Sequence, residues 1–350
     1  MSTVTVPQRF RRGYIESWNV FVQQDFGAGL VGEVGYVGTH EVRQISNLNI
    51  NAAPIPSSTS GSHTPCNSNI AGCNYNANRQ LNLANCSGAS LTCYNNTDIN
   101  SATPLFSSAY SGLQAQLSRR VGRGAQFGLV YTWSKAIDFA DNSNYSGLTF
   151  AYPAYWRMNR AVAGYDRTND LQLWTVYKLP FGTGEAFLNH GVASAIFGGF
   201  QLNTRLARVS GTPFTITTNN NLNAPGNGQV ADVTGPLQLS HASHAGLQGN
   251  QLPYFSQSSF AGIPSGVLRF GTAGRNSVRG PGYFNLDASV FRDFHIWREA
   301  NFQLRFETFD ALNTPQFQNP NANKSTGGNF GYVTNTNASR NVQLSGRINF

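Results

Sequence analysis

Charge is what this chain has least of. Only 11% of its 350 residues are Asp, Glu, Lys or Arg, against roughly 25% in ordinary soluble domains. Long apolar runs are missing too. No stretch approaches the roughly 20 apolar residues of a membrane-crossing helix. The opening "MSTVTVPQRFRRGYIESW" has no apolar core of the kind a secretory leader needs. Taken literally, that opening suits a cytosolic protein; it suits equally a piece of something longer. Lys and Arg exceed Asp and Glu by 24 to 16, but only "RFRR" at 9–12 is a cluster. Without a basic stripe, nucleic acid is not the expected partner. Scattered positive charge fits anionic lipid head groups or acidic solutes as well.

Catalytic patterns are also scarce. There is no HExxH, no GxSxG and no P-loop. His241 and His244 fall in the low-complexity "SHASHAG", where a solvated turn explains them better than a metal site. Asp166, Asp170, Asp287 and Glu307 supply carboxylates, but no spacing pairs them for acid–base work. The glycine-rich "GTAGRNSVRGPG" (271–282) lacks the following helix a phosphate cradle uses. It reads as a loop-to-strand connection. No enzyme activity, cofactor or metal is expected.

Mean hydropathy is nonetheless only −0.30. Uncharged Asn, Ser, Thr, Gln and Gly fill the places charges would take, and they alternate with apolar residues. Nine segments show period two, the strand signature. In "SWNVFVQQD", Trp18, Val20 and Val22 oppose Asn19, Phe21 and Gln23. Similar alternation marks "GLVGEVGYVGT", "YSGLQAQLSRR", "QFGLVYTWSK", "LQLWTVYKL", "FQLNTRLARV", "YFNLDASVF", "NFQLRFETF" and the terminal "NVQLSGRINF". A sandwich alternates too, but its polar side usually meets bulk water and carries charges. Neutral polar residues along long strands suit the wet lumen of a membrane barrel. The expected fold is therefore all-β: an antiparallel transmembrane β-barrel, present as about nine or ten strands of a larger one. Gln114, Gln116, Arg205, Asp287, Arg305, Glu307 and Arg347 are the lumen-facing candidates. Arg305 and Glu307, two apart on one strand, suggest a charge ladder on the inner wall. Trp18, Tyr131, Trp133 and Phe350 fit an interfacial aromatic girdle, although core packing explains each one singly.

Connections alternate in length. "DFGAG", "VGRG" and "RDFHIWREA" are short links, and 180–199 is intermediate. Residues 40–106, 136–168, 212–281 and 314–338 are long. Short turns at one rim and long loops at the other is the outer-membrane pattern. Counting back from an inward-running last strand, the first of nine also runs inward, as in the C-terminal part of a larger barrel. "PFTITT" (213–218) is a possible further strand that would upset the count. The whole of 1–350 reads as one C-terminal barrel region, with no signal peptide expected in it.

All four cysteines fall in the 40–106 loop. Cys66 and Cys73 enclose six residues, as do Cys86 and Cys93. Three pairings are open; the local one, Cys66–Cys73 and Cys86–Cys93, is favoured, in an oxidising compartment. Zinc is the alternative, though its ligands usually come as closer pairs.

Several segments together resemble the Oar-like TonB-dependent transporters. They are "VGYVGTH" (34–40), "YSGLQAQLSRRVGRGAQFGLVYTWSKAID" (110–138), "YKLPFG" (177–182), "AGRNSVRGPGYFNLDASVFRDF" (273–294), "LRFETFDALNTPQF" (304–317) and the terminal decapeptide. Asp310 stands where the family usually has Asn, and "YDRTNDLQLW" is a looser match. The resemblance implies an outer-membrane barrel of about 22 strands with a plug, which imports scarce solutes or handles exported proteins with energy from TonB. Against that pattern the plug and TonB-contacting segment are expected to be absent from 1–350, and the implied partners are outer-membrane lipid, the barrel-assembly machinery, the remaining strands and plug, and TonB through that missing plug. It also implies that Val342, Leu344, Ile348 and Phe350 form the barrel-assembly signal. The other readings are a surface adhesin or structural barrel without transport, and a secreted β-rich glycan-active enzyme.

Overall fold

The computed structural model describes residues 3–55, 79, 81, 98–122, 124–141, 151–219, 222, 224–240, 252–265, 267–337 and 339–350. Its frame is one antiparallel sheet of nine long strands. These are β1 (Tyr14–Gly27), β2 (Leu30–Asn49), β3 (Ile99–Val121), β4 (Ala125–Asp138), β5 (Asn169–Lys178), β6 (Gln201–Val209), β7 (Tyr283–Trp297), β8 (Ala300–Phe309) and β9 (Asn341–Asn349). Each strand pairs with its neighbours in chain order. The residues 3–5 add a short parallel pairing to the start of β3, and Ala161–Val162 pairs with the end of β4. The sheet is not closed. β1 and β9 are its edges, and among the described residues no strand covers either free side.

The β1–β2 and β7–β8 links are tight turns. Arg298 takes φ 52° between β7 and β8, and Gly27, Ala28 and Gly29 take 81°, 50° and 70° between β1 and β2. Positive φ matches the strand twist at such hairpins. At Gly29 a Cβ would stand 2.3 Å from the Arg120 carbonyl oxygen, so the turn admits no side chain there. The β7–β8 link is thus two residues, shorter than "RDFHIWREA" suggested, because Asp293–Phe302 alternation continues the ladder almost to the turn.

The Cys-bearing loop also needs correction. Residues 40–49 and 99–106 are strand, so the connection is 50–98 rather than 40–106. Arg43, at φ 56°, makes a bulge with register shifts on either side of Gln44. A bulge inserts a residue and breaks the alternation that marks a strand, which hid this extension. β2 and β3, at 20 and 23 residues, far exceed the roughly 9–11 that cross a membrane. Their hairpin stands well beyond the sheet. "PFTITT" does not join the large sheet; Pro213–Phe214 pairs instead with Val278–Arg279 in a small separate ladder.

The buried core lies in the loops, and the sheet's apolar face is bare. Tyr152, Phe214, Ile216, Val230, Phe255, Phe260, Val278 and Phe330 form one cluster drawn from three long connections. Leu48, Phe106 and Phe139 form a second, with Trp156 against them. By contrast Val20 is 68% exposed and Leu344 71%. A soluble sheet buries its apolar face and wets its polar one. A barrel wall presents that apolar face to lipid.

Candidate functional site: the polar face and its loop layer

Cross-strand partners share a face of a sheet, so the register sorts every side chain. Gln114 pairs with Thr132, Thr132 with Asp170, and Gln116 with Val130. Val130 pairs with Gln172 and Gln172 with Ala207. Arg205 pairs with Trp174 and with Asp287. Ser289 pairs with Glu307, Phe291 with Arg305, and Gln303 with Arg347. All seven sequence-selected polar residues therefore stand on one face. Leu113, Leu129, Leu173, Leu206, Leu286, Leu304 and Leu344 stand on the other. Glycine makes room for aromatic rings between strands. A Cβ on Gly128 would meet the Trp174 ring at 2.5 Å, and one on Gly35 the Phe21 ring at 2.0 Å.

The polar face is internally bonded. Arg205 donates to Gln172 Oε1 at 3.4 Å, and Gln172 Nε2 donates to Asp170 at 2.6 Å. Arg305 and Glu307 pair at 3.3 Å, with the Arg305 guanidinium 4.6 Å over the Phe291 ring. Asp287 accepts from Asn285 and from the Asp310 backbone N–H. Asp310 is itself buried at φ 54°, and its carboxylate accepts from Thr314 N–H. These two carboxylates thus shape the exit from β8.

Above the sheet the loops are joined by two arginines of the 271–282 segment. Arg279 pairs with Asp166 at 2.6 Å and donates to the Asp166 and Gly211 carbonyls. Asp166 also accepts from Ala136 N–H at 2.7 Å. Arg275 is almost wholly buried. It binds the Asp138 carboxylate, Asp141 at 2.7 Å, the Asn159 carbonyl at 2.6 Å and the Asp138 carbonyl at 3.0 Å. β4 stops pairing with β5 at Trp133–Asn169. Asp138 lies five residues past that point and pairs with the loop residue Ala161, so it belongs to the loop layer. Its Oδ2 is buried without a partner. Burial outweighs the Arg275 hydrogen bond and charge, and pushes its carboxyl up to about 6. Burial likewise raises the Tyr152 phenol to about 12.

Two openings flank this layer. One, of about 310 Å³, is lined by Tyr110, Gln114, Thr132, Tyr165, Asp166 and Asp170 among others. The second, of about 550 Å³, is lined by Thr212, Tyr283, Gln316, Gln318, Asn319 and Asn337 among others. Arg167 borders both. It donates to the Ser210 carbonyl at 2.6 Å and lies over the Tyr283 ring.

The outer-membrane β-barrel domain family matches residues 1–343. The chain belongs to that family. Solved structures with a similar fold include the ferric citrate transporter FecA in its unliganded form, at 12% identity and TM-score 0.40, covering 95% of this chain and 30% of that one. The outer-membrane transporter YddB from Escherichia coli shows 9% identity and TM-score 0.49, covering 99% and 34%. The chain thus spans about a third of these structures. No curated protein sequence gives a significant match.

Within this outer-membrane barrel domain, the apolar positions of the terminal strand share one face of β9. Val342, Leu344 and Ile348 pair with Thr308, Phe306 and Phe302, and all three are exposed, as is Phe350. Cys66, Cys73, Cys86, Cys93, His241 and His244 lie outside the described residues. Sequence reasoning missed Arg275, Arg279, Asp138 and Arg167. The first two were visible only as part of a glycine-rich connection. Their partners Asp138 and Asp166 lie 137 and 113 positions away, and no local spacing links groups so far apart.

Proposed function

We propose that this domain forms part of the wall and outer mouth of an outer-membrane transporter of the Oar-like TonB-dependent kind. Its polar face would line the solute path, and the loop layer with its two openings would take part in recognising the solute. The observation that carries this reading is the sorting of faces: one bonded polar ladder, one largely bare apolar face, and the described residues of the long connections packed at a single end. Nine alternating strands leave β1 and β9 running the same way, so an antiparallel barrel needs an odd number of further strands. In this reading those strands and a plug come from the rest of a full transporter, and energy from TonB acts through the plug. The domain performs no chemistry on the solute.

The test is genetic. Strains lacking the domain, and strains lacking the energy-transducing protein, should share the same growth defect on a scarce nutrient. A defect in one strain and not the other, or in neither, would sink the transport reading. A second reading, a surface barrel that binds without transporting, is favoured by the extensively packed loop layer. Surface binding lost on altering Arg167 and retained without TonB would establish it instead.

A further inference from the structure

The connection between β5 and β6, residues 179–200, lies at the short-turn end and has a structure of its own. Leu179 N–H donates to the Phe200 carbonyl at 2.8 Å, and Phe187 N–H to that of Pro180 at 3.0 Å. A short helix, Gly191–Phe197, closes back on this turn. Thr183 and Ser194 hydroxyls meet at 3.0 Å. A Cβ on Gly182 would fall 2.6 Å from the Gly198 Cα, so the two glycines bring the backbones into contact. The link is a packed knob rather than a loose loop.

Its outward side is apolar. Phe187, Leu188, Val192, Ile196 and Phe197 are all exposed, Val192 by 75%. Between Glu185 and Arg205 there is no Asp, Glu, Lys or Arg. Contiguous exposed apolar surface of this kind marks a contact with protein or membrane.

Arg292 decides which contact. It lies on the apolar face of β7, between Val290 and Phe294. From there its guanidinium donates to the Ala195 and Ile196 carbonyls at 2.6 and 3.0 Å. It also lies over the Phe294 ring at 4.4 Å and the Phe200 ring at 5.7 Å. The knob is therefore fastened to the outward face of the wall, and its own apolar side continues that face. Strands that complete the barrel join at β1 and β9, and β7 is two places in from β9. They do not cover the knob. Short-turn ends of such barrels face the periplasm.

We propose that residues 187–197 rest in the periplasmic leaflet of the outer membrane, as a lipid-bound anchor beside the barrel. A helix lying in the membrane plane buries its apolar side to roughly 5–10 Å, at the boundary of head groups and acyl chains. The proposal rests on the reading that the apolar face meets lipid.

The test uses the full chain, with its four cysteines replaced by serine, in outer-membrane preparations where the strands that complete the sheet are present. Ile196→Cys, or separately Val192→Cys, carries an environment-sensitive fluorophore, and doxyl-labelled lipid is the quencher. The expected result is loss of fluorescence at both sites, greater with the doxyl group near the head group than near the chain end. Leu173→Cys, on the apolar face of β5, is the control. Quenching at Leu173 with none at Ile196 or Val192 overturns the anchor while the apolar face of the wall still meets lipid, pointing to a periplasmic protein as cover. Absence of quenching at all three sites overturns the membrane reading itself.

Discussion

Replacing Arg275 by Ala removes the only cation that, among the described residues, pairs with the Asp138 carboxylate, whose side chain is 2% exposed. Breaking one partner of a buried pair typically loses ~3–5 kcal/mol, because the other charge is stranded. Asp138 has a way out, since it can take a proton. Its carboxyl already stands at about 6 rather than 3.8. The native state therefore holds that proton over a range where the unfolded chain has released it. Stability conferred by this group is present at low pH and declines as pH rises from about 4 to about 6. The decline is at most ~3 kcal/mol, from the roughly 1.4 kcal/mol that each tenfold in proton affinity represents. Without Arg275 the carboxyl rises further, so the variant's loss extends toward neutrality. Arg275→Ala should then unsettle the loop layer by ~3–5 kcal/mol at pH 8 and by clearly less at pH 5. Asp138→Asn in the same chain should recover much of the loss at pH 8, because no charge remains to strand. Asp141 is partly exposed and keeps its water. Hydrogen exchange of the amides at 152–163 and 214–231, in outer-membrane preparations, reads the loop layer without unfolding the wall. Equal loss of protection at both pH values, or no recovery in the double variant, would refute the reasoning.

Other outcomes follow from the same geometry. Phe255 is 1% exposed, with Phe260 and Phe330 ring centroids 5.6 and 5.1 Å away; Phe255→Ala should cost about 3–5 kcal/mol, read as protease sensitivity of the outer loops. Leu304→Arg puts a charge on the apolar face and should lose about 2–4 kcal/mol at mid-membrane, reducing the membrane-integrated fraction. Arg305→Leu, one residue along but on the polar face, should leave integration nearly unchanged while stranding Glu307. Gly211→Ala places a Cβ 1.8 Å from the Gly280 carbonyl oxygen, so it should separate the Arg279 segment from the β6 exit and expose both to exchange. The chain by itself should not yield a heat-modifiable, protease-resistant monomer in detergent, because two strand edges stay open and unpaired backbone groups are costly in lipid.

All nine long strands were legible because a two-residue period is a local property, carried by adjacent letters. Trp18 to Val22 and Val342 to Phe350 needed no distant information. Strand ends were less legible. The bulge at Arg43 broke the pattern, and Ile45 to Asn49 lie under the loop layer, where both faces carry mixed residues. The turn at Arg298 was hidden because its strands alternate almost to the last residue. The interior of the loop layer was illegible altogether. Nothing adjacent to Arg275 announces Asp138, and Phe255 looks no different in sequence from the lipid-side Phe302.

By itself, then, the sequence determined which residues alternate, how many long strands result, and that the long connections fall at one end. It did so because strand geometry ties side-chain direction to neighbouring positions. Tertiary structure alone decided that the long loops share a core, that Arg275 and Arg279 hold them over the sheet, and that the β5–β6 link folds against the outer wall. Those features are contacts between segments tens to more than a hundred residues apart. Whether an apolar side chain meets lipid, a loop core or open solvent depends on what the chain brings back to it.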